Sequence, residues 1–152
     1  MAESIYDVTL ERDVPSRMRD GVTLYADIYR PKADGPFPVV LMRLPYDKTS
    51  ALTPYDYAHP FWYARRGFIV VIQDTRGRWR SEGSFEPFVN ETRDGYDSVQ
   101  WASTLPGSNG RVGMYGASYV GATQHLAAVG APPALGCICP AVTAASYYEG
   151  WT

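Results

Sequence analysis

The segment Arg111-Val112-Gly113-Met114-Tyr115-Gly116-Ala117-Ser118-Tyr119-Val120-Gly121 carries the clearest chemical signal in this chain. It reads as a short strand, a tight turn with Ser118 at its tip, and a helix starting at that serine. Such a turn pushes the hydroxyl clear of the backbone, and small residues beside it let strand and helix approach without collision. The chemistry this suits is attack on an acyl carbon. The common form of the pattern is G-x-S-x-G, whereas here Val120 holds the expected place and the second glycine comes one residue late, at Gly121.

A serine hydroxyl is a weak nucleophile at neutral pH and needs a base, usually a histidine oriented by a carboxylate. The chain has two histidines, His59 and His125. His125 falls on the same helix as Ser118, about 10 Å further along at ~1.5 Å per residue, so it cannot reach Oγ. His59 precedes the serine, just before Pro60, at the approach to a crossover helix. Both read better as structural histidines. The one carboxylate after the serine is Glu149, and without a histidine it orients nothing.

The elements that must position Ser118 follow from periodicity. Val22 to Tyr29 alternates apolar and polar positions and pairs as a hairpin with Ile5 to Arg12 through an Arg19-Asp20-Gly21 turn. Phe37 to Met42 and Phe68 to Ile72 are unbroken apolar runs rich in β-branched residues, which suits central parallel strands covered on both faces. Tyr55 to Arg66, Asp94 to Leu105 and Ser118 to Val129 read as helices, the second capped near Thr92, the third closed by Gly130. Leu135 to Cys139 reads as a further buried strand. The order is a hairpin followed by alternating strands and helices, hence an α/β fold in one domain.

Hydrophobic residues make up 45% and charged residues 20% of the 152, the balance of an ordinary globular domain with a real core. A formal net charge of −2 without a basic run argues against a nucleic-acid or anionic-membrane partner. The first residues lack a signal peptide's basic and apolar regions and no apolar run reaches spanning length, so a cytoplasmic site is expected. Cys137 and Cys139 face one side of their strand and are expected to be buried reduced thiols, since no second ligand pair exists for a metal. No cofactor is implied. Tyr147 and Trp151 could line an apolar pocket beside the serine or pack half-buried.

Four separated segments, Arg43 to Lys48, Gln73 to Gly77, Ser81 to Gly83 and Gly116 to Gly121, resemble in order and spacing the X-prolyl dipeptidyl-peptidase and cocaine-esterase-like α/β-hydrolases, whose own elbow has the late glycine. The resemblance covers nearly the whole chain, but only the first part of that family's catalytic domain. It implies a serine hydrolase of esters or amides, including peptides, acting on small molecules through an acyl-enzyme. Carried across, Ser118 matches the nucleophile, between elbow glycines Gly116 and Gly121. Tyr46 matches the tyrosine whose hydroxyl is one oxyanion donor, and the Tyr119 backbone N–H matches the other; an ordinary turn tyrosine is the alternative for Tyr46. Asp74 and Arg76 precede the serine, so the family's order of Ser, acid, His leaves them a structural ion pair or turn-holding role. The resemblance places the catalytic acid and histidine, a helical cap, the distal strands and a jelly-roll domain beyond Thr152. Residues 1–152 alone would then be inactive, and the strand Leu135 to Cys139 would form a sheet edge prone to self-association.

Two other readings compete. A hydrolase-like binding module would keep the fold without the chemistry. A dinucleotide-binding unit would need G-x-G-x-x-G and an acidic residue about 20 positions on, and the chain supplies neither.

Overall fold

The computed structural model describes residues 5–50 and 58–146. The element order is β1 (Val8–Arg17), β2 (Thr23–Pro31), β3 (Phe37–Leu44), α1 (Pro60–Ala64), β4 (Ile69–Asp74), α2 (Glu91–Ser103), β5 (Ser108–Ala117), α3 (Tyr119–Val129) and β6 (Leu135–Ala141). The strands form one six-stranded sheet in the order β1-β2-β4-β3-β5-β6. β1 and β2 pair antiparallel and so do β2 and β4, while β4-β3, β3-β5 and β5-β6 are parallel.

The two apolar runs expected at the centre are there. β4 is buried along its whole length, and its alternate side chains serve opposite faces. Ile69 and Val71 join Val39, Leu41, Val112 and Met114 beneath Val99, Ala102 and Ala127 of α2 and α3. Val70 and Ile72 join Met42, Leu44, Tyr29 and Ala64 on the other face. A period of two along a strand produces both layers from one apolar run.

The crossovers from β3 to β4 and from β4 to β5 run in opposite directions, because β4 and β5 flank β3. Such a reversal opens a crevice outside the carboxyl ends of the strands on either side of it, where open α/β sheets carry their sites. Tyr46 follows β3 and Ser118 follows β5, so the sheet order delivers both to that crevice.

Several boundaries move from expectation. β1 runs to Arg17 rather than Arg12, passing a bulge between Glu11 and Val14 where Asp13 takes φ 53° and its N–H bonds Asp27 Oδ1 at 3.0 Å. α1 starts at Pro60, with His59 as its N-cap; residues 55–57 of the expected helix lie outside the described residues. α2 begins at Glu91 behind Asn90, ahead of the cap expected near Thr92.

The larger correction concerns β6. It is the sheet edge expected of it, paired only with β5 among the described residues, but the burial expected for its thiols fails: Cys137 and Cys139 are free and exposed. Ile138 packs against the core beneath α2 and α3, while the two cysteines share the opposite face, where α1 packs over β2 and β4 rather than over β6. Apolar character made the run fit for burial, but only neighbouring elements could bury it. No helix among the described residues is long and apolar enough to cross a membrane.

Candidate active site

β5 passes into α3 through Ser118, which has φ 58° and ψ −125°. A serine rarely adopts this backbone, and conformations of this kind cost of order 1–3 kcal/mol and persist only where the surroundings enforce them. The Ser118 N–H is held by the Ala141 carbonyl of β6 at 3.0 Å, and its carbonyl accepts from Gly121 and Ala122 in the first turn of α3. The side chain is exposed and makes no capping bond, so Oγ stands free at the helix start among the described residues.

Both elbow glycines have steric reasons. Gly116 has φ +138°, and a Cβ there would lie 2.2 Å from Val120 Cγ1. Val120, at the usual second-glycine position, is buried and fills the space Gly116 leaves open. The close approach falls one residue later: a Cβ on Gly121 would meet Thr143 Cγ2 at 2.5 Å and Cβ at 2.7 Å, where the chain leaves β6. The displaced glycine follows the position at which α3 crosses that segment.

Tyr119 is the first residue of α3, where N–H groups have no intrahelical partner and carry partial positive charge. Its N–H has no hydrogen-bond partner among the described residues. Its side chain, in contrast, is fully engaged. The hydroxyl donates to Glu91 Oε1 at 2.9 Å and accepts from the Phe88 N–H at 3.1 Å, and the ring stacks on Phe88 at 4.7 Å. Burial, with the Glu91 carboxylate beside it, pushes the hydroxyl's pKa well above the ordinary tyrosine value, which keeps it a donor.

Tyr46 follows β3 on the same edge of the sheet. β3 and β5 run in register from Val39 opposite Val112 to Leu41 opposite Met114, and both end on the same edge, at Leu44 and Ala117. Tyr46 is 49% exposed on a loop that is firmly tied. The Pro45 carbonyl accepts from Arg78 Nε at 2.8 Å and Trp79 Nε1 at 3.3 Å, and the Tyr46 carbonyl accepts from Ser50 Oγ at 2.6 Å. The Lys48 N–H donates to Asp74 Oδ1 at 2.8 Å, while the nearly buried Lys48 ammonium reaches Asp74 Oδ2 at 3.2 Å and Asp13 Oδ1 at 2.8 Å. Burial disfavours that ammonium, yet Asp13 and Asp74 outweigh it and raise its pKa. Asp74, more deeply enclosed, has its carboxyl pushed up by burial in spite of the Lys48 bonds.

The holding role expected for Asp74 and Arg76 is what the structure contains, with partners other than each other. Asp74 anchors Lys48, and Arg76 makes a fork of 2.9 and 2.6 Å bonds to Asp94 and a 2.9 Å pair with Asp20. His59 caps α1, its Nδ1 accepting from the Phe61 N–H at 3.2 Å. His125 is half-buried along α3. Glu149, Tyr147 and Trp151 lie outside the described residues. Among the described residues no group of His, Cys, Asp and Glu could hold a metal.

The sequence reading assigns no role to Arg43, Glu91, Gln73 or Gln124, although Arg43 and Gln73 open two of the segments that carry the resemblance. Gln124 Nε2 binds the Gly116 and Val120 carbonyls, both at 3.0 Å, and its Oε1 accepts from the Cys139 N–H at 2.9 Å, tying β5, α3 and β6 together behind the elbow. A charge inside the apolar run of β3 was the available signal, since a buried guanidinium must be paired.

A strained serine between parallel strand and helix, on the carboxyl edge of a sheet ordered 1-2-4-3-5-6, defines an α/β-hydrolase. The chain belongs to the X-Pro dipeptidyl-peptidase family (S15), which matches residues 20–152. It is 43% identical over 151 residues to a cocaine esterase of Rhodococcus sp., covering 98% of this chain and 26% of that protein. Among solved structures, a CocE/NonD family hydrolase from Staphylococcus aureus superposes with a TM-score of 0.77 at 33% identity, over 86% of this chain and 27% of that one. An α-amino acid ester hydrolase gives a TM-score of 0.76 at 31% identity, over 91% and 26%. The chain thus spans about a quarter of the length of these relatives.

Proposed function

We propose that this chain forms the nucleophile-bearing part of a serine hydrolase of small esters, amides or peptides, working through an acyl-enzyme on Ser118. The observation that carries the reading is the Ser118 backbone at φ 58° and ψ −125°, held by Ala141 and Gly121 with its hydroxyl left free. In the reaction Ser118 Oγ attacks the carbonyl carbon and its proton passes to a base. The carbonyl oxygen becomes an oxyanion facing the Tyr119 N–H and the Tyr46 hydroxyl, and its collapse expels the alcohol or amine, which takes up that proton. Water then hydrolyses the acyl-serine. Each preorganised donor is worth on the order of 3 kcal/mol in the transition state.

His59 is occupied as a helix cap and His125 lies down α3, so the base and its acid are supplied from outside the described residues. The relatives named as esterases and hydrolases support the substrate class. The test is fluorophosphonate labelling and p-nitrophenyl ester turnover by the full-length protein. Ser118→Ala is expected to abolish both. Turnover that survives this substitution would refute the reading, and a ligand-dependent rise in Tm, unaltered by Ser118→Ala and without any turnover, would identify a binding module instead.

A further inference from the structure

A buried charged chain lies directly behind the elbow. Arg43, 0% exposed on β3, donates from Nε to Gln73 Oε1 at 2.9 Å and from Nη1 to Glu91 Oε2 at 2.7 Å. Ser98 Oγ donates to the same Gln73 oxygen at 2.8 Å. The other oxygen of Glu91 takes the Tyr119 hydroxyl. One carboxylate, itself buried at the start of α2, therefore grips a central strand with one oxygen and the first residue of α3 with the other.

Stability alone does not explain this arrangement. A buried ion pair rarely outperforms an apolar pair of similar volume, because desolvation cancels most of the attraction. Orientation explains it better. The direction of the Tyr119 N–H is set by the plane of the Ser118-Tyr119 peptide, and that plane follows a residue in a strained conformation that would relax if unrestrained. The Phe88 stack and the Glu91 bond fix the Tyr119 side chain, hence its Cα–Cβ direction and the peptide attached to it.

We propose that Glu91, braced by Arg43, is a positioning residue for acyl transfer: it holds the Tyr119 hydroxyl and thereby aims the Tyr119 N–H at the developing oxyanion. This rests on the reading of Ser118 as the nucleophile and of the Tyr119 N–H as an oxyanion donor. Tyr119→Phe keeps the ring on Phe88 and removes the hydroxyl, with its bond to Glu91 and the one it accepts from the Phe88 N–H. Glu91→Ala would strand the Arg43 charge and endanger folding, so Glu91→Gln is the second variant.

In the full-length protein, with active sites titrated by fluorophosphonate, Tyr119→Phe is expected to lower kcat per site about tenfold with KM within about twofold, because small misplacements of a preorganised group carry losses of this order. The inhibition constant of phenylboronic acid, which forms a tetrahedral adduct on serine, should weaken by a similar factor. The double variant Tyr119→Phe with Glu91→Gln should lose far less than the product of the two single losses, since the Tyr119–Glu91 bond that both act on is already gone in Tyr119→Phe. A merely structural role would lower Tm and the number of titratable sites but leave kcat per site and boronate affinity unchanged. That result, or kinetic losses that add fully in the double variant, would overturn the proposal. Turnover surviving Ser118→Ala would instead overturn the reading beneath it.

Discussion

Gly121→Ala tests whether the late glycine is set by tertiary contact or by helix chemistry. Gly121 lies in the first half of α3, and inside a helix alanine is favoured over glycine by about 1 kcal/mol, so local propensity predicts stabilisation. The packing predicts the reverse. The added Cβ would meet Thr143 Cγ2 at 2.5 Å and Cβ at 2.7 Å, and the Ala141 carbonyl oxygen at 3.2 Å. Ordinary carbon contacts need about 3.5–4.0 Å, so α3 and the segment after β6 must separate by roughly 1 Å. Overpacking on this scale costs about 1–3 kcal/mol, leaving a net loss of about 0–2 kcal/mol after the helix gain. Thr143→Gly would remove both offending atoms, so in its background Gly121→Ala should turn stabilising by roughly the intrinsic 1 kcal/mol. Urea unfolding of wild type, both single variants and the double variant in the full-length protein measures this coupling. The displacement should also reach Ser118, whose N–H rests on Ala141, and lower kcat in Gly121→Ala even where Tm moves little. A rise in stability for Gly121→Ala alone, with no coupling to Thr143, would refute the steric account of the displaced glycine.

Tyr46→Phe removes the proposed second oxyanion donor from an exposed ring; kcat for ester hydrolysis should fall by on the order of 10²-fold with KM little changed, and a KM effect alone would show that the hydroxyl contacts the ground state only. Asp97 supplies a pH test. Burial alone would raise its carboxyl's pKa, but the Arg19 backbone N–H at 2.8 Å and the guanidinium at 2.7 and 3.0 Å outweigh burial and hold it below the ordinary value. A depressed carboxyl contributes stability that is complete above its unfolded pKa, about 3.9, and is lost as pH falls through the lower folded value. Asp97→Asn should therefore be less stable than wild type by no more than about 1 kcal/mol at neutral pH, because Arg19 is half-exposed and screened. The gap in Tm should close as pH falls below about 4; a gap constant across that range would remove Asp97 from the acid-linked groups.

What could be read from the amino acids was local or periodic. The order of strands and helices came from apolar runs and their periods, and the elbow came from residues adjacent in the chain. What could not be read depended on pairs far apart in sequence. The edge position of β6 is expected from the resemblance, but the exposure of Cys137 and Cys139 is not, because it depends on which helices reach that strand. α2 starts before its expected cap because Glu91 and Asp94, both acids in its first turn, are drawn inward by Arg43 and Arg76. Asp74 and Arg76 invited pairing with each other as near neighbours, yet each answers to a residue elsewhere in the chain. Arg43 shows the general case. Its charge among Val39, Val40, Leu41 and Met42 announces that a buried partner exists, but not which of the chain's carboxylates it is. That identity, Glu91 at 48 residues' remove, is decided by how α2 packs on β3, and the same packing brings the carboxylate's second oxygen to Tyr119. The sequence pattern therefore locates the proposed nucleophile, while the groups proposed to aim the oxyanion donor become visible only once the layers are assembled.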